Sequence, residues 1–215
     1  MLDIVNVKKT FNLKTVNERT ALDSVNLHLD EEDFVTVIGG NGAGKSTLLN
    51  AVAGVWPVDS GSIVIDGMDV TDMPEHRRAA VLGRVFQDPM MGTAATMQIE
   101  ENLALAARRG QRRTLKKPKL LLLDEHTAAL DPRTAAKVLE LSEKIIRENR
   151  LMTLMVTHNM KDAIRYGNRL IMMNGGKIIL DVSGEEKKQL TIERLMEAFA
   201  EASGEPFVND RMLLS

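Results

Sequence analysis

The sequence of 215 residues contains no cysteine. That excludes a disulfide framework and thiol chemistry, and it suits a reducing compartment such as the cytoplasm. Aromatic residues are scarce, at five Phe, one Trp and one Tyr, so core filling falls to aliphatic side chains and to 13 methionines. No excess of either charge sign is present: 28 basic and 30 acidic residues leave a net charge of −2. No global field therefore draws the chain to nucleic acid or to an anionic membrane surface. Long apolar runs are missing as well. Residues 120–123 and 151–156 fall far short of the roughly 20 residues that cross a bilayer, and the chain opens on a strand-like segment rather than a signal sequence. With no internal repeat and no separating linker, a single domain over residues 1–215 is expected.

What is present is a strand that turns abruptly into glycine. Residues 34–38, Phe-Val-Thr-Val-Ile, are followed by Gly39, Gly40, Asn41, Gly42, Ala43, Gly44, Lys45, Ser46 and Thr47, and then by a helix-compatible stretch. A polyphosphate needs several backbone N–H groups converging on it, and residues without a Cβ let the chain curl that closely. The helix that begins near Lys45 aims its unpaired N–H groups and positive dipole end at the same anion. Lys45 then places a cation on the β- and γ-phosphates, and Ser46 can ligate Mg²⁺.

A second chemical signal lies at residues 120–123, four leucines closed by Asp124 and Glu125. A run apolar on both faces suits a central parallel strand, and its carboxyl end is where open α/β sheets bind ligands. Asp124 would hold Mg²⁺ through water, and Glu125 would orient or deprotonate an attacking water. Residues 151–156 form another buried strand, ending at Thr157 and His158, where an imidazole reaches either a γ-phosphate or a local hydrogen bond. Gln87 closes a strand at residues 81–86 and reads as either a metal-facing amide or a solvent-facing loop residue. Phe11, placed on a loop after a strand at residues 2–9, either stacks on a base or plugs the core.

The remaining pattern is an alternating strand at 21–29, a short strand at 62–66, and helices at 74–80, 96–109, 160–166 and 192–202. Asp131 and Pro132 start a long helix whose apolar face is Ala135, Val138, Leu139, Ser142, Ile145 and Ile146. Residues 174–176, Asn-Gly-Gly, turn a hairpin between strands 169–173 and 177–181. The basic stretch at 111–119 reads as a solvated linker rather than a nucleic-acid patch.

In this order the parts resemble the ATPase subunits of ATP-binding-cassette (ABC) transporters. The resemblance rests on the Walker A segment 39–47, the glutamine-loop segment 85–89, the Walker B segment 120–125, the D-loop Ala129-Leu130-Asp131 and the switch histidine His158. It implies an α/β P-loop NTPase core, with a mostly parallel sheet flanked by helices and an N-terminal antiparallel β subdomain. It also implies Mg²⁺ and ATP as ligands, Phe11 as the adenine-stacking aromatic and Gln87 as a sensor of metal and water. Glu125 is then the catalytic base and His158 the γ-phosphate contact. A transmembrane permease and a second ATPase subunit are the implied partners, nucleic acid is not, and the expected place is the inner face of the cell membrane.

Two departures stand out. His126 occupies a position where the family commonly has proline. The family's hallmark Leu-Ser-Gly-Gly-Gln is absent, and Gln87 and Asp124 are only 37 positions apart (124 minus 87). On this reading residues 1–95 hold the β subdomain and Walker A core, 96–119 a truncated helical segment, and 120–215 the Walker B core and last helix. Each signature normally completes the partner's ATP site, so nucleotide binding is expected to survive its loss better than hydrolysis, dimerisation or coupling. A non-hydrolysing regulatory paralogue and a P-loop phosphotransferase are the alternative readings.

Overall fold

Alternating apolar residues build the first of two sheets. The computed structural model describes residues 1–86, 118–128 and 130–203. Strands β1 (Leu2–Phe11), β2 (Arg19–Leu29), β4 (Ser60–Ile65) and β5 (Met68–Asp69) pair antiparallel in the order β2-β1-β4-β5. Leu2, Ile4 and Val7 of β1 and Val25, Leu27 and Leu29 of β2 turn to the interior. Strand β1 runs two residues beyond the sequence expectation, because Thr10 and Phe11 pair with Thr20 and Arg19. Phe11 is therefore a strand residue, not a loop residue.

The second sheet has the order β10-β9-β3-β8-β7-β6. It comprises β3 (Phe34–Gly39), β6 (Leu82–Val85), β7 (Leu120–Asp124), β8 (Met152–Val156), β9 (Arg169–Asn174) and β10 (Lys177–Ser183). All neighbours are parallel except the β9–β10 hairpin. Strand β8 is buried along its whole length, as a strand covered on both faces must be.

Helix α1 (Lys45–Ala53) lies between the sheets. Its Leu48, Leu49 and Val52 join Leu2, Ile4 and Leu27 of the first sheet and Val35, Leu120 and Leu154 of the second in one apolar cluster. After the short α2 (Glu75–Arg78), α3 (Pro132–Asn149) covers the other face of the second sheet, where Leu139 and Ile146 pack with Phe34, Leu123 and Met155. The Asp131 carboxylate accepts from the Arg133 and Thr134 N–H groups, so the expected N-cap forms. The buried stripe of α3 is narrower than the periodicity suggests, since Ile145 is 44% exposed. Helices α4 (Met160–Arg165), α5 (Gly184–Lys188) and α6 (Ile192–Ser203) complete the described chain, with Leu195 of α6 docked beside Ile38 and Leu170. Helix α5 was not legible in the sequence, being one short polar turn held by the buried Lys187 ammonium on the Tyr166 and Gly167 carbonyls. The helix expected at 96–109 and the basic stretch at 111–117 lie outside the described residues.

Arg78 ties α1 to the segment that leads into β6. Its guanidinium donates to the carbonyls of Ala51 and Val52 at 2.8 Å, of Met73 at 2.7 Å and of Thr71 at 3.0 Å. Two of these acceptors belong to the last turn of α1, where the dipole favours a cation. Burial holds the guanidinium pKa below its usual value, and the network of carbonyls compensates the lost hydration. Each buried carbonyl left unpaired costs about 1–3 kcal/mol. Arg78→Met is therefore expected to lower stability by several kcal/mol, read as a lower denaturant midpoint with unchanged slope, and Arg78→Lys to recover less than half. A midpoint equal to the wild type would show that the network adds nothing.

Candidate functional site

Strand register brings the motif residues to one edge. Val37 of β3 and Asp124 of β7 both stand opposite Val156 of the intervening β8. Strands β7 and β8 thus end level while β3 runs two residues further, to Gly39, and the segments that leave them carry Gly40, Glu125 and His158. This is the carboxyl edge of a parallel sheet, where helix N-termini and loop N–H groups converge.

The loop from Gly39 to Thr47 is shaped by its glycines. Gly39 has φ +151°, and a Cβ there would stand 2.2 Å from the Met173 carbonyl oxygen. Gly44, at φ +106°, caps α1 with no side-chain bond to its first N–H groups. The Gly175-Gly176 turn braces the loop from beside: Gly176 donates to the Ala43 carbonyl and accepts from the Asp23 N–H. Lys45, 5% exposed, folds back and donates to the carbonyls of Gly39 at 2.8 Å and Gly40 at 3.0 Å. Burial pulls its pKa down, while the charges of Glu125 and Asp124 push the other way. Both Walker B carboxylates therefore act on the Walker A ammonium. Asn41, Gly42 and Ser46 face solvent.

A cavity of about 170 Å³ opens over this loop, lined by Phe11, Arg19, Ala21 and the chain from Gly42 to Thr47. Phe11 thus reaches the glycine loop from the other sheet. The edge of Trp56 meets its ring at 4.9 Å and Lys9 stands 5.6 Å from its centroid. Arg19, opposite Phe11 on β2, donates to the Gly42 carbonyl at 2.8 Å. A larger cavity of about 660 Å³ lies at the amino ends of β7 and β8, beside Lys119 and Met152, and none of the expected site residues lines it. The smaller one is lined by Phe11 and by residues of the glycine loop that the sequence singles out.

Glu125 follows β7 with φ +45°, its N–H bonded to the Val156 carbonyl. The carboxylate, 11% exposed, meets His158 Nε2 at 2.5 Å. Asp124 Oδ2 accepts from Arg84 Nη2 at 3.0 Å, and Arg84 Nη1 donates to Asn50 Oδ1 at 2.8 Å. The ring of His126 is held neutral by burial, with Nε2 lacking a protein partner. Among the described residues no cluster of three or more His, Cys, Asp or Glu exists that would cage a metal by itself. Asp124 and the solvent-facing Ser46 offer one carboxylate and one hydroxyl, oxygen donors of the kind that suit Mg²⁺, which keeps its waters and takes one or two protein oxygens beside phosphate. Gln87 lies outside the described residues. Sequence reasoning missed Arg84, Arg19 and Trp56. For Arg84 a signal existed, a cation interrupting the apolar run of residues 81–86 next to the Walker B strand.

The family model described as "ABC transporter" matches residues 22–114. The chain is 38% identical to a tyrosine transport ATP-binding protein of Clostridioides difficile, over 93% of this chain and 98% of the relative. The chain belongs to the ABC transporter family. Within it the chain is an ATP-binding subunit, the ATP-hydrolysing component of a transport system. An energy-coupling factor transporter ATP-binding protein of Caldanaerobacter subterraneus is 29% identical, over 83% of this chain and 78% of that protein. The fold matches a dimeric ATP-binding cassette in a post-hydrolysis state bound to ADP and phosphate, with a TM-score of 0.74 and 22% identity over 85% of this chain and 98% of that one. The alignment to the Clostridioides ABC subunit spans 247 positions, whereas 93% of 215 residues is about 200. About 47 positions (247 minus 200) therefore have no counterpart here, in keeping with the short interval between Gln87 and Asp124.

The loop geometry makes a prediction about glycine. Gly39→Ala must push the Met173 carbonyl away, whereas a Cβ on Gly175, at φ +54°, meets nothing within 4 Å. Gly175→Ala is expected to cost about 1 kcal/mol for the left-handed backbone alone, and Gly39→Ala at least twice that, read from thermal unfolding. Equal losses would mean that the Gly39–Met173 approach does not constrain the loop.

Proposed function

We propose that this subunit binds Mg·ATP on the loop from Gly39 to Thr47 and hydrolyses it with Glu125 as general base. The observation that carries the reading is the convergence of Lys45, Asp124, Glu125 and His158 at the carboxyl ends of β3, β7 and β8. Phe11 offers its ring to the adenine at the rim of the loop cavity. The N–H groups that open α1 and the loop itself bind the phosphates, and Lys45 exchanges the Gly39 and Gly40 carbonyls for phosphate oxygens. Ser46 and Asp124, with Gln87 from the following segment, are the residues that would hold Mg²⁺. The ion supplies charge neutralisation across the β- and γ-phosphates.

Glu125 then accepts a proton from a water whose oxygen attacks the γ-phosphorus in line, as the bond from the bridging oxygen to that phosphorus breaks and ADP leaves. One carboxylate oxygen of Glu125 is held by His158, which leaves the other for the water. His158 thereby fixes the base and stands ready for the γ-phosphate. The absent Leu-Ser-Gly-Gly-Gln removes the N–H donors that a second subunit would bring to that phosphate, so turnover is slower than nucleotide binding alone would allow.

Family members act with transmembrane permeases. No described helix is long and apolar enough to cross a membrane. On this reading the chain reaches the cytoplasmic face of the membrane by binding such a permease. The tyrosine transport relative makes tyrosine the first solute to test in the intact system.

The purified chain with Glu125→Gln is expected to lose at least 100-fold in phosphate release, a general base being worth about 10²–10⁴, while nucleotide affinity in Mg²⁺ changes little. Lys45→Met is expected to weaken that affinity roughly 10- to 100-fold, the worth of one charge-assisted hydrogen-bond set. Unchanged phosphate release in Glu125→Gln would remove Glu125 from its role. Unchanged affinity in Lys45→Met would remove the loop.

A further inference from the structure

Arg84 is the described cation in contact with a Walker B carboxylate, and the role assigned above to Asp124 does not account for it. Its guanidinium bridges three elements: Nη2 to Asp124 at the end of β7, Nη1 to Asn50 on α1, and its flat face over Phe86 at 4.6 Å from the ring centroid. Both side chains of the ion pair are withdrawn from water, at 9% and 13% exposure. Asn50 is four residues after Ser46, so the two share one face of α1. Arg84 therefore sits against the helix face that carries one expected metal ligand while holding the carboxylate of the other.

We propose that Arg84 is a positioning residue that serves as the standing counter-cation of Asp124, so that Mg²⁺ must share or displace it when it arrives with nucleotide. The proposal rests on the reading of Asp124 as the metal's carboxylate. A carboxylate this buried needs a partner, and removing one member of such a pair leaves the other uncompensated. Arg84 supplies that partner while the metal is absent. Once a divalent ion reaches the same carboxylate, the guanidinium at 3.0 Å opposes it, because like charges in a poorly screened site repel. The consequence is a limit on how much Mg²⁺ adds to nucleotide affinity, which keeps the metal-bound product state releasable. Lys45 does not perform this role, since its ammonium is committed to the Gly39 and Gly40 carbonyls.

The test is the affinity of the full chain for ADP, which avoids turnover, measured calorimetrically in Mg²⁺ and in EDTA. The ratio of the two dissociation constants is the metal coupling. Arg84→Gln keeps hydrogen-bonding capacity and removes the charge. It is expected to raise the ratio roughly 5-fold or more, while Arg84→Lys stays within about twofold of the wild type. Arg84→Met should behave as Arg84→Gln does, so either variant that folds reads the proposal. A ratio in the neutral variants equal to or below that of the wild type overturns it. Asp124→Asn separates the two claims. If the wild-type ratio survives that substitution, the reading of Asp124 falls and the proposal with it. If the ratio collapses in Asp124→Asn yet does not rise in Arg84→Gln, only the role of Arg84 is lost.

Discussion

Three parallel strands locked in register at their carboxyl ends are the constraint on which the rest of this structure depends. The register that sets Val37 and Asp124 against Val156 decides that a lysine, two carboxylates and an imidazole from distant parts of the sequence meet at one edge. A shift of one residue in β7 would turn Asp124 to the other face of the sheet and break its contact with Arg84. The register is in turn enforced by burial. Strands β3, β7 and β8 are apolar on both faces, packed against α1 and the antiparallel sheet on one side and against α3 on the other. The site is thus a by-product of core packing, and the glycine loop adds only what a phosphate requires.

Cations meet carbonyls and carboxylates in the site and at both ends of α1. Lys45 closes the loop on itself, Arg19 holds the Gly42 carbonyl, Arg78 ends α1, and Arg84 pairs with Asp124. Lys45, Arg78 and Arg84 each satisfy a buried oxygen that would otherwise be stranded, whereas the Gly42 carbonyl held by Arg19 faces solvent. Two of these cations bear directly on the residues assigned to Mg²⁺ and phosphate. Binding is therefore an exchange of partners rather than the filling of an empty cradle.

Much of this was legible in the sequence because it is local. The step from β-branched residues to glycines at residues 34–47, the leucine run before Asp124, the Asp131-Pro132 cap and the Asn-Gly-Gly hairpin each announce their element through short-range sterics. The family resemblance drawn from those motifs agrees with a relative at 38% identity. Long-range choices were not legible. Phe11 became a strand residue through its pairing with β2, and α5 formed because Lys187 found carbonyls far along the chain. Arg84 could be noticed as a cation in an apolar strand, but its partners Asp124 and Asn50 are set by tertiary packing. The pairing of His158 with Glu125 depends likewise on the neighbouring ends of β7 and β8.

The short interval between Gln87 and Asp124 sets this chain apart from its ABC relative. The ABC relative carries about 47 aligned positions that are missing here (247 minus 200), and the Leu-Ser-Gly-Gly-Gln that would close a partner's site is not in the sequence. On this account the chain binds nucleotide alone and lacks the motif that would clamp a second copy's γ-phosphate. The most direct test is sedimentation of the Glu125→Gln chain with saturating Mg·ATP, with bound nucleotide counted in the same sample. The account predicts one nucleotide per chain and a mass that stays at the single-chain value of 23.8 kDa. An ATP-dependent doubling of that mass would contradict it.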